Sequence, residues 1–441
     1  MSPSRLPRDE IKVVAALGPT PDKAHPVNPK ELNMSVAVPR CAIDPSLPSF
    51  PYLLRRARRR LPRFAFDFLE GGTGEHLAPA RNRASFDAIE MVWRNRPKST
   101  LSTSIQLFGR AYDHPIGISP VGMDGAIWPG ASGALATAAK QRNIPYIAGT
   151  LACESLESLA AKCPENLWFQ LYGFPRDNHA ISFDLMQRAA NAGVSVLVVT
   201  LDAPRNAKRT LDLFNGVTVP FRPSLRLAMQ ATTKLSWAAS LLRRGQPKCP
   251  NMSKYVRPNA SLTEVSAFVR ENVAGCFSWD DLRLIRRAWS GHLVLKGIMS
   301  TQDALLARDI GADGVFVSNH GGRQLDASAA SVDMLPAIAD ALGGRVSLLI
   351  DGGVRSGSDV AKALALGADA AFAGRTFLTG VAALGDYGAR YTIDLLAEEL
   401  EVIMTQLGVT SLADLASVQT RHPGKWPNAS SMVQRMCAVD P

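Results

Sequence analysis

Ser318-Asn319-His320-Gly321-Gly322-Arg323-Gln324-Leu325-Asp326 follows the apolar run Gly314–Val317, which reads as a short buried strand. His320 and Arg323 stand three residues apart with two glycines between them. At the end of a barrel strand, that spacing lets an imidazole take a proton while a guanidinium holds the same substrate's carboxylate. The glycines permit tight turns and close ligand approach. A histidine and an arginine at this spacing are common elsewhere, where they mark a turn with a surface arginine, so the surrounding chain decides.

Seven more short apolar runs share the pattern, at 115–119, 145–149, 167–171, 194–201, 292–296, 346–350 and 370–373. Ala- and Leu-rich stretches of helical character lie between most of them, at 133–142, 156–162, 178–192 and 356–366. Eight strands alternating with helices predict an α/β fold, a (β/α)8 TIM barrel. The repeated Gly-Ala-Asp at 311–313 and 367–369, each followed by a strand, is an internal echo of the same unit. Residues 1–49, rich in Pro, Ala and Ser, read as an irregular N-terminal extension. The barrel is expected over 50–410, opening with a basic amphipathic helix at 50–68 that ends at Gly71-Gly72, and 411–441 as a C-terminal tail.

The stretch between strands four and five, 202–292, is far longer than the other connections and predicts an insertion at about 215–280. It holds the prolines at 220 and 223, then Met229, Leu235, Trp237 and Leu241 among Lys and Arg. Two readings stand: a cover over the barrel mouth, or an amphipathic element that touches a membrane.

The chain has 441 residues, 46% of them hydrophobic and 20% charged, the composition of an ordinary folded core. No apolar run is long enough to span a bilayer, and Arg5, Arg8, Asp9 and Glu10 argue against a secretory signal. The net charge of +10 favours anionic substrates, a cofactor phosphate or an anionic membrane face. Nucleic acid is disfavoured by the absence of zinc-finger spacing and of an aromatic-interleaved basic motif. Part of the excess sits in Arg55, Arg56, Arg58, Arg59, Arg60 and Arg63, which also reads as a solvated helix face. The six cysteines are scattered without a Cys-x-x-Cys pair, so neither zinc nor a disulfide framework is expected, and a reducing, cytoplasmic compartment fits. His114 and His292 read as strand-edge residues; His25, His76, His179 and His422 read as surface positions.

Active-site residues of such barrels cluster at the C-terminal strand ends. There the chain offers Ser119, Pro120, Val121, Gly122 and Met123, then Gln170 and Tyr172, then Thr200 and Asp202 with Arg205, Lys208 and Arg209 beyond. Lys296, Ser318, His320 and Arg323 follow, then Asp351-Gly352-Gly353-Val354-Arg355 and Gly374-Arg375. The last two groups form a phosphate site by simple physics: glycine N–H groups, a following helix N-terminus and two arginines. Lys296 would set a positive charge inside the mouth, suited to a reduced, anionic ring system.

These motifs resemble the FMN-dependent L-2-hydroxy acid oxidase and dehydrogenase family from about Leu61 to Gly408. The carriers are the 318–326 run, Asp351-Gly352-Gly353-Val354-Arg355-Ser356-Gly357 and Gly374-Arg375; 66–72, 125–129 and 167–172 look nearest to the mandelate and lactate dehydrogenase branch. The resemblance implies bound FMN and no metal, a small 2-hydroxy acid substrate, and a homotetramer. It implies His320 as the base, acting on the substrate hydroxyl or α-carbon, with Asp202 behind it. Arg323 and Arg209 would clamp the carboxylate, beside Tyr172 and Phe68. Lys296 would lie near the flavin, Gln170 and Thr200 at its pyrimidine edge and Ser318 along it, with Pro120, Val121, Gly122 and Thr150 also on the cofactor. Asp351, Gly352, Gly353, Arg355, Gly374 and Arg375 would hold the ribityl phosphate end.

Three positions depart from the family pattern. Phe68 stands where a tyrosine often binds substrate; losing that hydroxyl would either weaken carboxylate binding or enlarge the apolar part of the pocket. Gly149 replaces a flavin-contacting serine, with Thr150 as its expected substitute. Gly122 stands where oxidases often carry alanine, which leans towards a dehydrogenase. The expected activity is oxidation of a lactate- or mandelate-like L-(S)-2-hydroxy acid, with electrons passed to a quinone or similar acceptor, in the cytoplasm or peripherally on the inner face of the membrane. The alternatives are an oxidase of the same fold releasing hydrogen peroxide, an FMN enzyme for a larger, unconventional substrate, and a flavin-binding scaffold without turnover.

Overall fold

Eight parallel strands close into a barrel in which each lies beside its sequence neighbours: β1 (Ile116–Ile118), β2 (Tyr146–Gly149), β3 (Leu167–Leu171), β4 (Val196–Thr200), β5 (His292–Ile298), β6 (Gly314–Val317), β7 (Ser347–Ile350) and β8 (Ala370–Ala373). β8 pairs with β1 and closes the ring. The computed structural model describes residues 39–95, 100–205, 207–217, 224–273 and 277–426. Residues 1–38 of the expected extension, the 220–223 segment and the end of the expected tail, 427–441, lie outside the described residues.

Strand alternation sorts the side chains into two cores. Trp168, Val196, Val198, Val294, Phe316, Leu349 and Phe372 form the barrel interior. Their strand neighbours Phe169, Leu197, Val199, Leu293 and Leu295 face the surrounding helices. Inside, small and large residues interlock: a Cβ on Gly117 would fall 2.1 Å from the Phe372 ring. The hairpin formed by Ile105–Leu107 and Arg110–Tyr112 closes one end, with Leu107 and Tyr112 buried in the interior core. Several barrel helices start on a serine whose side chain accepts an N–H of the first turn, at Ser155, Ser278, Ser300 and Ser356. That bond satisfies an otherwise unpaired helix donor and fixes where each strand-to-helix loop ends.

The helix expected over 50–68 is two helices, Phe50–Arg60 and Arg63–Glu70. Pro62 separates them: it has no N–H to continue the ladder, and it pushes Leu61 to extended φ −83°, ψ 142°. The basic run is only partly a solvated face. Arg56 and Arg60 donate to the carbonyls of Ala383 and Ala382, at 3.1 and 2.9 Å, at the end of helix Arg375–Leu384. Residues 411–426 do not behave as a tail either. Leu415 is fully buried, and Thr420–Arg421 pairs with Glu90–Met91. His422, expected at the surface, is buried 3.1 Å from the Val332 carbonyl, and His114, expected at a strand edge, is buried 2.8 Å from Thr103 Oγ1.

The long connection supplies helices Thr210–Asn215, Leu225–Thr232, Leu235–Arg244 and Leu262–Asn272 before the regular barrel helix Trp279–Ala288. Trp237 anchors it: the indole N–H donates to Ile127 O at 2.9 Å, and its ring meets Phe64 edge-on at 5.6 Å. The insertion covers the barrel mouth.

The buried pair Arg142–Asp394 ties the described start of the chain to helix Tyr387–Leu407. Arg142 Nη2 reaches Asp394 Oδ2 at 2.8 Å, and the Cys41 N–H donates to the same oxygen at 2.8 Å. Burial acts to raise the Asp394 carboxyl, but Arg142 and the Cys41 N–H bring it below its ordinary 3.8. Its stabilising effect is therefore present above that value and is lost as pH falls through the depressed folded value. Asp394→Ala is expected to lower stability by about 3–5 kcal/mol, because it strands a buried guanidinium. Paired Arg142→Met and Asp394→Leu changes should cost less, as urea midpoints would measure.

Candidate active site

At the C-terminal end of the barrel, the next inward positions after the apolar interior are polar. Ser119, Gln170, Thr200, Lys296, Ser318 and Asp351 are all buried there. Ser119 Oγ donates to Asp351 Oδ2 at 2.8 Å, and Lys296 Nζ lies 2.9 Å from the same oxygen and 2.6 Å from Ser318 Oγ. Gln170 Nε2 donates to Thr200 Oγ1 at 2.9 Å. A lysine this deep is tolerable only when paired, and the register of β4 to β7 supplies its partners.

His320 stands just past β6 with φ +57°, followed by Gly321 and Gly322 at φ +61° and +75°. The histidine pays a conformational cost that neighbouring contacts hold in place. Its N–H donates to Ser318 Oγ at 3.0 Å, and its Nδ1 lies 2.9 Å from Asp202 Oδ1. That pairing assigns the Nδ1 proton to the carboxylate side and leaves Nε2 facing the mouth, 3.4 Å from Tyr172 Oη. Burial pushes the Asp202 carboxyl up, yet the His320 charge and hydrogen bond, helped by Lys296, hold it below the ordinary range. Gly297, at φ +98°, makes room for this pair, since a Cβ there would fall 2.7 Å from Asp202 Cβ. Burial, then the Asp202 charge, pushes the Tyr172 phenol up to about 12.

Arg323 Nη2 donates to Phe68 O and Leu69 O, both at 2.8 Å, and its guanidinium lies 5.4 Å from the Phe68 ring centroid. Burial, then repulsion from Arg375 and Arg209, drives Arg323 well below its ordinary value. Arg209 lies 4.0 Å from Asp212. The cavity these residues enclose measures about 690 Å³. Arg83, Lys208, Arg209, Arg270, Lys296, Arg323, Arg355 and Arg375 line it, against the acids Glu70, Asp212 and Asp351. Such crowding of cations calls for an anionic ligand.

Four of the expected cofactor residues are already engaged by neighbouring groups of the protein. Thr150 does not line the cavity, because its hydroxyl donates to Gln170 O at 2.6 Å and accepts the Tyr172 N–H at 3.2 Å. Ser318 is likewise behind the wall, held between Lys296 and the His320 N–H. Asp351 lines the cavity and pairs with Lys296 through one carboxylate oxygen. Arg375 spends its guanidinium on the carbonyls of Leu69, Gly71 and Gly321, at 3.1, 2.7 and 2.8 Å, bracing the His320 turn against helix Arg63–Glu70. Pro120, Val121, Gly122, Gln170, Thr200, Gly352, Gly353, Arg355 and Gly374 do line the cavity.

FMN fits this wall. Gly352 and Gly353, at φ +94° and +104°, precede helix Gly357–Ala365, a backbone arrangement suited to phosphate, with Arg355 beside them. Asp351 Oδ1 is buried without a hydrogen-bond partner, an acceptor placed for a ligand hydroxyl. Among the described residues, no cluster of His, Cys, Asp and Glu is arranged to hold a metal ion.

A family model described as FMN-dependent dehydrogenase matches residues 57–422. The chain belongs to the FMN-dependent dehydrogenase family. An L-lactate dehydrogenase of Caulobacter vibrioides (strain NA1000 / CB15N) is 38% identical over 368 residues, covering 81% of this chain and 94% of that protein. The crystal structure of the monotopic membrane protein (S)-mandelate dehydrogenase superposes with a TM-score of 0.80 at 33% identity, over 85% of this chain and 99% of that one. Mandelate oxidase superposes with a TM-score of 0.73 at 33% identity, over 85% and 98%.

Sequence reasoning missed parts of the wall. Asn82 lines the cavity and exchanges two amide hydrogen bonds with Asn319, at 2.9 and 2.8 Å. Asn319 lay inside the deciding motif, but nothing in the spacing pointed to Asn82. Phe64, Leu213, Leu227 and Trp237 also line the cavity, the last two from the insertion.

Asp351→Ala leaves Lys296 a buried cation without its carboxylate. The flavin-free variant should unfold about 3 kcal/mol more easily than the flavin-free parent, read from urea midpoints. An unchanged midpoint would contradict the pairing.

Proposed function

We propose that the chain oxidises a lactate- or mandelate-like L-(S)-2-hydroxy acid to the 2-oxo acid and passes the electrons to a quinone or similar acceptor. The observation that carries this reading is the convergence of His320, braced by Asp202, with Arg323 and Arg209 at one cavity. Bound FMN supplies the two-electron acceptor for the substrate's α-carbon. Gln170, Thr200 and Lys296 would hold the polar edge of its ring, Asp351 its ribityl chain, and the Gly352, Gly353 and Gly374 backbone with Arg355 its phosphate.

The chain's own residues perform the remaining work. His320 Nε2 takes the proton of the substrate hydroxyl or α-carbon, and Asp202 stabilises the resulting imidazolium. Arg323 and Arg209 bind the carboxylate, which fixes the α-carbon relative to the base. Tyr172 stays protonated at neutral pH and offers its hydroxyl to the substrate. Phe64, Phe68, Leu227 and Trp237 give the cavity an apolar side, which supports a mandelate-like side chain. His320→Ala should keep bound flavin while anaerobic flavin reduction by L-lactate or (S)-mandelate slows by about 10²–10⁴-fold, measured by stopped flow. Reduction at the parent rate would remove His320 from the role of base.

The insertion supports a second part of this reading, peripheral contact with the inner face of a membrane. Leu225, Leu235 and Leu242 are 76%, 81% and 87% exposed, beside exposed Arg243. No helix among the described residues is long and apolar enough to cross a membrane, so contact would be interfacial. Leu235→Asp with Leu242→Asp should release the protein from anionic vesicles in a flotation assay without changing flavin reduction. Unchanged flotation would contradict the contact. A homotetramer is proposed on the family resemblance, and light scattering of the purified holoprotein tests it.

A further inference from the structure

Helix Thr210–Asn215 carries an acid into the part of the cavity where a substrate carboxylate is proposed to bind. Asp212 lines the cavity with its side chain 13% exposed, and its Oδ2 lies 4.0 Å from Arg209 Nη1. The separation is too long for a hydrogen-bonded pair but well within Coulomb reach. The backbone fixes the helix: Asp212 O accepts the Val217 N–H at 2.8 Å, and Asn215 donates to Asp67 at 2.7 Å. Leu213, the next residue, lines the same cavity.

The electrostatics identify Asp212 as a counter-charge and not as a committed salt-bridge partner. Burial raises its carboxyl above the ordinary range; Arg209 and Arg323 oppose that rise, and Asp67 adds to it. Seen from the other side, Asp212 and Glu70 are the acids that offset the burial of Arg323. Arg323 directs one nitrogen to two backbone carbonyls, so its remaining donors are free for a ligand. An arriving carboxylate would therefore enter a field already partly neutralised by Asp212, and like charge would oppose it.

We propose that Asp212 is a positioning residue that stands in for the substrate carboxylate at Arg209 and competes with it, weakening the binding of every anionic ligand at this site. The competition sets how readily the 2-oxo acid product leaves, since product and substrate share the carboxylate. This inference rests on the reading that Arg209 and Arg323 hold a carboxylate.

The test uses the flavin-loaded protein and two matched probes, phenylglyoxylate and its neutral amide, titrated against the absorbance of the bound flavin. Asp212→Asn and Asp212→Ser should each bind phenylglyoxylate at least about fivefold tighter than the parent, from loss of the opposing charge. Neither should change the affinity for the amide, and Asp212→Glu should restore the parent's preference. With (S)-mandelate as substrate, KM should fall in the Asn variant more than the rate of flavin reduction changes. Unchanged or weaker carboxylate binding, or equal shifts for both probes, would overturn the proposal. Failure of both neutral variants to retain flavin would overturn it too, making Asp212 a structural residue. If the parent itself binds amide and carboxylate equally, the carboxylate reading of the arginines fails instead.

Discussion

Everything at the barrel mouth depends on the two-residue alternation of eight closed strands. Once Val196, Val198 and Val294 face inward with Trp168 and Phe316, the next inward positions must fall at the C-terminal rim. Those positions hold Gln170, Thr200, Lys296, Ser318 and Asp351. A one-residue slip in β5 would turn Lys296 into the helical layer and bring Leu295 to the rim. The position of Lys296 beside Asp351 and Ser318 is thus a consequence of register, and the turn that carries His320 hangs on the same Ser318 hydroxyl.

Charge is the second constraint. Apart from the Lys296–Asp351 pair, the mouth carries more guanidinium groups than acids, and the insertion lies over it. Removing water makes each unbalanced charge more costly and each incoming anion more strongly held. Two anionic groups, a cofactor phosphate and a substrate carboxylate, suit the two ends of this field. On the proposed function, the glycine-rich turn after β7 would serve the first, and Arg323 with Arg209 the second. Asp212 then has a physical meaning: it keeps the carboxylate end from holding its ligand too firmly.

Much of this was legible in the sequence, because strand runs, the 318–326 motif and the glycine-rich ends are local signals. The eight strands lie where the apolar runs predicted them, and Asp202 does stand behind His320. What escaped depended on side-chain direction. Thr150 was expected at the cofactor, and its spacing did not show that the Gln170 carbonyl and the Tyr172 N–H engage its hydroxyl. Arg375 lines the cavity as expected of its position, and no local pattern showed the three backbone carbonyls that its guanidinium also meets. The break at Pro62 was visible in principle, since no helix ladder passes a proline unchanged, but the amphipathic pattern on either side concealed it. Asn82 could not be found, because its partner lies 237 positions away along the chain.

On the proposed function, the arginines and His320 together select a 2-hydroxy acid by its carboxylate and its hand. Anaerobic mixing of the flavin-loaded protein with (S)-mandelate, (R)-mandelate and (S)-mandelamide, followed by flavin absorbance, tests it most directly. Rapid bleaching is expected with the (S)-acid, and little or none with the (R)-acid or the amide. Equal bleaching by acid and amide, or by both enantiomers, would contradict it.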